Sequence, residues 1–128
     1  MTIRDAYGCD LYREWCEYIR DEAVKDLYRL LVGWAASVNG YTCHPQRKGV
    51  VRDVRFVDAS GEQPYAFIVN RNSVLFYFRL PAVKSGRHSL NDLKRKFPSA
   101  SKNARGEWRL PLRSVGEAQR LIVFAALD

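Results

Sequence analysis

Basic side chains crowd residues 84–113: Lys84, Arg87, His88, Lys94, Arg95, Lys96, Lys102, Arg105, Arg109 and Arg113. Ser99, Ser101 and Asn103 lie among them. Lys and Arg neutralise phosphates and release counterions, while Ser, Asn and backbone N–H groups fix the register of a phosphate backbone. The nine Lys and Arg of this set are therefore the candidate nucleic-acid interface. A merely solvated charged face and a surface for an acidic protein are the competing readings. Tyr77 and Trp108 could stack on a base if exposed, but strand alternation assigns both to the core. No RNA-recognition aromatic pair and no zinc-finger spacing is present.

Other chemistries find less support. Cys43-His44 with the distant His88 would need a base within reach of the thiol and a third orienting group. A zinc site needs three or four ligands, and the chain has only two histidines. Asp53, Asp58 and Glu62 could hold a cation for phosphodiester hydrolysis. Strict alternation sends Asp53 and Asp58 to opposite strand faces, and no Glu-x-Lys follows. The eight glycines fit no phosphate-binding loop. Cys9, Cys16 and Cys43 match no metal or redox motif and cannot all pair within one chain. Cys9 and Cys16, seven apart, share a helix face and read as packing residues. The expectation is a non-enzyme with no metal and no small-molecule cofactor; among enzymes, a small nuclease departs least from the residues.

Charge is sided. Residues 1–64 hold 9 Lys and Arg against 10 Asp and Glu; residues 65–128 hold 12 against 4. The net charge is +7. Such a field attracts polyanions or acidic surfaces. At 128 residues the chain can bury about two-thirds of its unfolded surface, so residues 1–128 are expected to form one domain. No apolar run approaches the roughly 18 residues of a membrane span. The start, Met1-Thr2-Ile3-Arg4-Asp5, lacks the apolar segment of a secretion signal. A reducing cytosol is the expected home, and a bacterial-type module the expected kind of protein.

The elements that must position these groups follow from periodicity. Residues 10–38 repeat apolar positions at steps of three and four: Leu11, Trp15, Ile19, Leu27, Leu31, Trp34 and Val38. Asp10 can cap the start and Asn39-Gly40 the end. Asp21-Glu22 can cap a second helix, so a break at 20–23 is allowed. Pro45 and Gly49 make residues 41–49 a loop. A strand follows at about 50–57, with Val54 and Phe56 on one face and Asp53 and Arg55 on the other. Tyr65, Phe67 and Val69 alternate, residues 70–73 turn, and Val74, Phe76 and Phe78 alternate, which predicts an antiparallel hairpin.

Residues 82–88 read as a basic loop. Ser89 caps a short helix with Leu90, Leu93 and Phe97 inward. Lys94 and Arg95 then project outward, with Lys96 nearer the core boundary. Residues 99–106 read as a second basic loop. Trp108, Leu110 and Leu112 alternate in a strand that Pro111 places at an edge. Ser114 and Glu117 form a capping box for the last helix, whose stripe is Val115, Ala118, Leu121, Ile122 and Ala125. Its end, residues 121–127, is apolar all round, which suits deep burial or a partner surface.

Adjacent antiparallel strands between helices indicate α+β: a sheet of about four strands packed by a long N-terminal helix, a short helix and a C-terminal helix. From Tyr65 onward the order of elements resembles the small α+β domains of the MmcQ/YjbR kind. The parts are the hairpin Tyr65–Arg79, the Trp-bearing strand Glu107–Leu112 and the closing helix Ser114–Leu127. The resemblance covers about half the chain, and the N-terminal helix and the basic 94–105 segment depart from it. It implies a fold like that of DNA-binding α+β domains and no particular site residue. The leading expectation is a non-enzymatic nucleic-acid-binding module. The alternative is an inhibitor or adaptor whose basic face docks an acidic protein.

Overall fold

The computed structural model describes residues 2–127. The N-terminal pattern folds as two helices, α1 (Ala6–Tyr18) and α2 (Glu22–Ser37). Each starts on an aspartate. Asp5 accepts from the Gly8 N–H at 3.0 Å and Asp21 from the Val24 N–H at 3.1 Å, satisfying donors that a helix start leaves free. The first cap is thus Asp5, and Asp10 lies inside α1. At the break Ile19 turns extended, with ψ 134°. The Arg20 N–H donates instead to the Arg71 carbonyl at 2.8 Å. Gly8 serves close approach: a Cβ there would lie 2.2 Å from the Thr2 carbonyl oxygen.

The strands are β1 (Tyr41–Lys48), β2 (Val51–Asp58), β3 (Tyr65–Val69), β4 (Val74–Phe78), β5 (Ser101–Lys102) and β6 (Trp108–Leu112). The remaining helices are α3 (Leu80–Lys84), α4 (Leu90–Lys96) and α5 (Val115–Ala125). All strands join one antiparallel sheet, ordered β1-β2-β3-β4-β6-β5. The α+β class stands, but the sheet has six strands rather than about four. Two of them fall in segments that read as loops. β1 accepts Pro45 because it is an outer strand, where a missing N–H need break no ladder bond. Gly49, at φ 62°, makes the tight turn into β2. β5 is two residues long, too short to leave an alternating pattern. Residues 80–84, partly assigned to a basic loop, form the short helix α3, with Pro81 in its first turn.

Alternation sorts the sheet into two faces. Val54, Phe56, Phe67, Val69, Val74, Phe76, Phe78, Leu110 and Leu112 are at most 2% exposed and point to the helices. Their register lines aromatics across strands: Phe56 faces Tyr65, Tyr65 faces Phe78, and Phe78 faces Trp108. Trp34 of α2 closes on Phe56, with ring centroids 5.2 Å apart. Leu121 and Ala125 of α5 join the same cluster at 0% exposure. Each fully buried large apolar side chain of this kind contributes about 1.5–3 kcal/mol. At the apolar end of α5 burial is mixed: Leu127 is buried, while Val123 is 78% exposed.

The caps form as the spacing predicts, with one shift. Ser89 accepts from the Asp92 N–H and Ser114 from the Glu117 N–H. The Glu117 carboxylate reaches back one residue further than a capping box requires, to the Arg113 N–H at 3.0 Å. Pro111 sits on a free edge, because β5 covers only Trp108 and Arg109 of β6. Among the described residues no helix is long and apolar enough to cross a membrane.

Candidate nucleic-acid interface

The sheet face away from the helices carries a groove of about 630 Å³. Its walls come from the strands, from Arg79 just after β4 and from the β5–β6 turn. One register row crosses five strands on this face: Arg55, Ala66, Tyr77, Arg109 and Ser101. A second row runs Asp53, Ile68, Leu75 and Pro111. The polar residues are there because alternation turns Val54, Phe56, Phe76, Phe78 and Leu110 inward and so Asp53, Arg55, Tyr77 and Arg109 outward.

The groove's described lining includes five cations, Arg55, Arg79, Lys102, Arg105 and Arg109, and two carboxylates, Asp53 and Glu107. The carboxylates serve only two of the cations. Asp53 Oδ2 accepts from Arg55 Nε at 3.0 Å, and Glu107 Oε2 lies 3.4 Å from Arg79 Nε. Gln63 Oε1 joins the two arginines, accepting from Arg55 Nη1 at 2.9 Å and Arg79 Nη1 at 3.1 Å. Lys102, Arg105 and Arg109 pair with no carboxylate among the described residues. Asp53, only 8% exposed, leaves its Oδ1 buried without a hydrogen-bond partner.

Asn103 shapes the turn that presents Lys102 and Arg105. Its Oδ1 accepts from the Arg105 and Glu107 N–H groups, each at 3.0 Å, and its Nδ2 donates to Glu107 Oε1 at 3.1 Å. Asn side chains close turns in this way by mimicking backbone. The turn is therefore braced while both basic side chains stay exposed.

The fold does not gather the nine predicted cations on one surface. Lys102, Arg105 and Arg109 share the groove. Lys94, Arg95 and Lys96 are exposed on α4, on the helical side of the sheet. Phe97 at its end packs on Phe124 of α5, and Lys96 lines a separate hollow with Arg120 and Val123. Arg95 is paired with Asp92. Arg87 donates to the Ala126 carbonyl beyond α5. Lys84 is exposed on the last turn of α3 and Arg113 between β6 and α5. Arg55 and Arg79 lie outside the predicted stretch. Their signal was local: each follows a buried aromatic or aliphatic residue on a strand whose inner face was already plain.

Tyr77 is half-buried on the groove face, not in the core, because it alternates with Phe76 and Phe78, both 0% exposed. Trp108 is core as predicted, at 6%. Cys43 and His44 turn to opposite faces of β1. Cys43 is buried among apolar residues, and that burial pushes its thiol up to about 12. Asp58 turns away from Asp53, accepting from Ser60 Oγ at 2.6 Å and from the Ser60 and Glu62 N–H groups at 3.0 Å. Those bonds, Ser60 Oγ first, hold its carboxyl below the usual range. Cys9 is exposed, while Cys16 is half-buried against the core. Among the described residues no three His, Cys, Asp or Glu side chains gather where they could share a metal ion. No known family model, curated protein or solved structure matches the chain.

Proposed function

We propose that this chain is a nucleic-acid-binding module that uses the groove on the uncovered sheet face. The observation that carries the reading is that Lys102, Arg105 and Arg109 line one groove without carboxylate partners among the described residues. A phosphate then meets free cations and displaces no existing ion pair, so counterion release drives binding. Arg55 and Arg79 are held in place by Asp53, Glu107 and Gln63 and add a rigid wall of fixed N–H donors whose charge the two carboxylates balance. The resemblance to MmcQ/YjbR-like domains belongs to the same proposal. The hairpin β3–β4, strand β6 and helix α5 run in the order on which it rests.

The test compares two triple variants by gel shift on single-stranded and duplex nucleic acid at two salt concentrations. Lys102→Gln, Arg105→Gln and Arg109→Gln together are expected to lower affinity strongly and to flatten the salt dependence of log affinity by about 3 in slope. Lys94→Gln, Arg95→Gln and Lys96→Gln together leave most of the binding intact. Loss confined to the second variant moves the interface to α4. Wild type that binds no nucleic acid at about 50 mM salt overturns the proposal and leaves an acidic protein as partner.

A further inference from the structure

We infer that the groove takes single-stranded nucleic acid and holds one base between Tyr77 and Arg55, over Ala66; this rests on the nucleic-acid reading above. Arg55, Ala66 and Tyr77 occupy neighbouring strands in one register row. Strands lie about 4.8 Å apart, so the outer two side chains leave the sheet about 9.6 Å from each other. A base is about 3.4 Å thick, the rise of stacked bases along one strand. One base between two flat groups needs about 6.8 Å from plane to plane, less than the about 9.6 Å between the two strands. Ala66 is the floor between them: it carries only a methyl group and is 6% exposed, while the neighbouring row has Ile68 at its place in β3.

Both walls suit a base. Tyr77 presents a phenol ring that makes no hydrogen bond among the described residues. Arg55 is fixed between Asp53 on β2 and Gln63 ahead of β3, so its guanidinium is presented without further ordering. Guanidinium planes and aromatic rings both stack on bases, and they do so only where the base is free of a duplex. Arg109 stands beside Tyr77 in the same row, positioned for the adjoining phosphate. Asp53 Oδ1 is an acceptor without a donor at this end of the groove. An exocyclic amine, as on cytosine, is the kind of donor it lacks.

The experiment measures fluorescence anisotropy at about 50 mM salt with three labelled probes of about 12 nucleotides. They are an oligodeoxycytidylate strand, an abasic strand of equal length and charge, and a duplex. Wild type is expected to bind the cytidylate about 5–150-fold more tightly than the abasic strand, the range that base–aromatic stacking supplies. Tyr77→Ala removes that preference. Tyr77→Leu, which keeps bulk and guards against a folding defect, removes it too, and Tyr77→Phe restores it. Equal binding of cytidylate and abasic strands, or a preference that survives Tyr77→Leu, overturns the base slot while leaving the charge-based reading standing. Tighter binding of the duplex also overturns it. Wild type that binds none of the probes overturns both readings.

Discussion

His88 stacks on Phe124, with ring centroids 4.9 Å apart and 28° between the planes, and its Nε2 is buried without a hydrogen-bond partner. Phe78 meets the same imidazole edge-on at 5.7 Å. Burial here disfavours the imidazolium, and the neighbouring Arg87 adds to that; a hydrogen bond to the Ala125 carbonyl acts the other way. The net effect lowers the pKa of His88 from its usual 6.5. The unfolded chain therefore binds this proton more readily than the folded one. Stability from the neutral histidine is fully present above the unfolded pKa and is lost as pH falls below it toward the folded value. Urea midpoints are expected to drop below pH about 6.5 in wild type, and His88→Phe, which keeps the stack, flattens that part of the profile. An unchanged slope in His88→Phe assigns the acid sensitivity to other groups.

The C-terminal helix holds the sheet through Leu121, which is 0% exposed in the same cluster as Phe76 and Leu110. Leu121→Ala removes buried methyl groups and leaves a cavity, at a cost of about 2–5 kcal/mol. Chemical denaturation should show this as a lower midpoint with an unchanged slope. Val123→Ala on the same helix is the control: at 78% exposure its loss should stay within about 0.5 kcal/mol.

The cysteines should react in order of exposure. Cys9 is exposed, whereas Cys43 is 3% exposed with its thiol pushed up to about 12, so little thiolate forms near neutral pH. Mass spectrometry after brief treatment with a maleimide is expected to find Cys9 labelled and Cys43 untouched. Cys43 becomes labelled once denaturant opens the sheet. Prompt labelling of Cys43 in native protein would show that β1 opens locally.

Local sequence determined the parts of this protein whose physics is local. The 65–78 hairpin, the Ser89 and Ser114 caps and the inward stripe of α5 each rest on neighbours a few residues apart, and all are present. The allowed break between α1 and α2 was legible in Asp21, because an N-cap side chain needs only the next three residues. Tertiary structure decided what distant segments contribute. Pro45 reads as a breaker until β1 is seen to be an outer strand, and the two-residue β5 exists only because β6 offers it an edge. The groove is the fullest case. Arg55, Ala66, Tyr77 and Arg109 come together only when β2, β3, β4 and β6 lie in register. Register depends on turns and on the buried face, so which cations share a surface is written in the core packing rather than in their spacing. The same packing sends Lys94, Arg95 and Lys96 to the helical side, although only a few residues of chain separate them from Lys102.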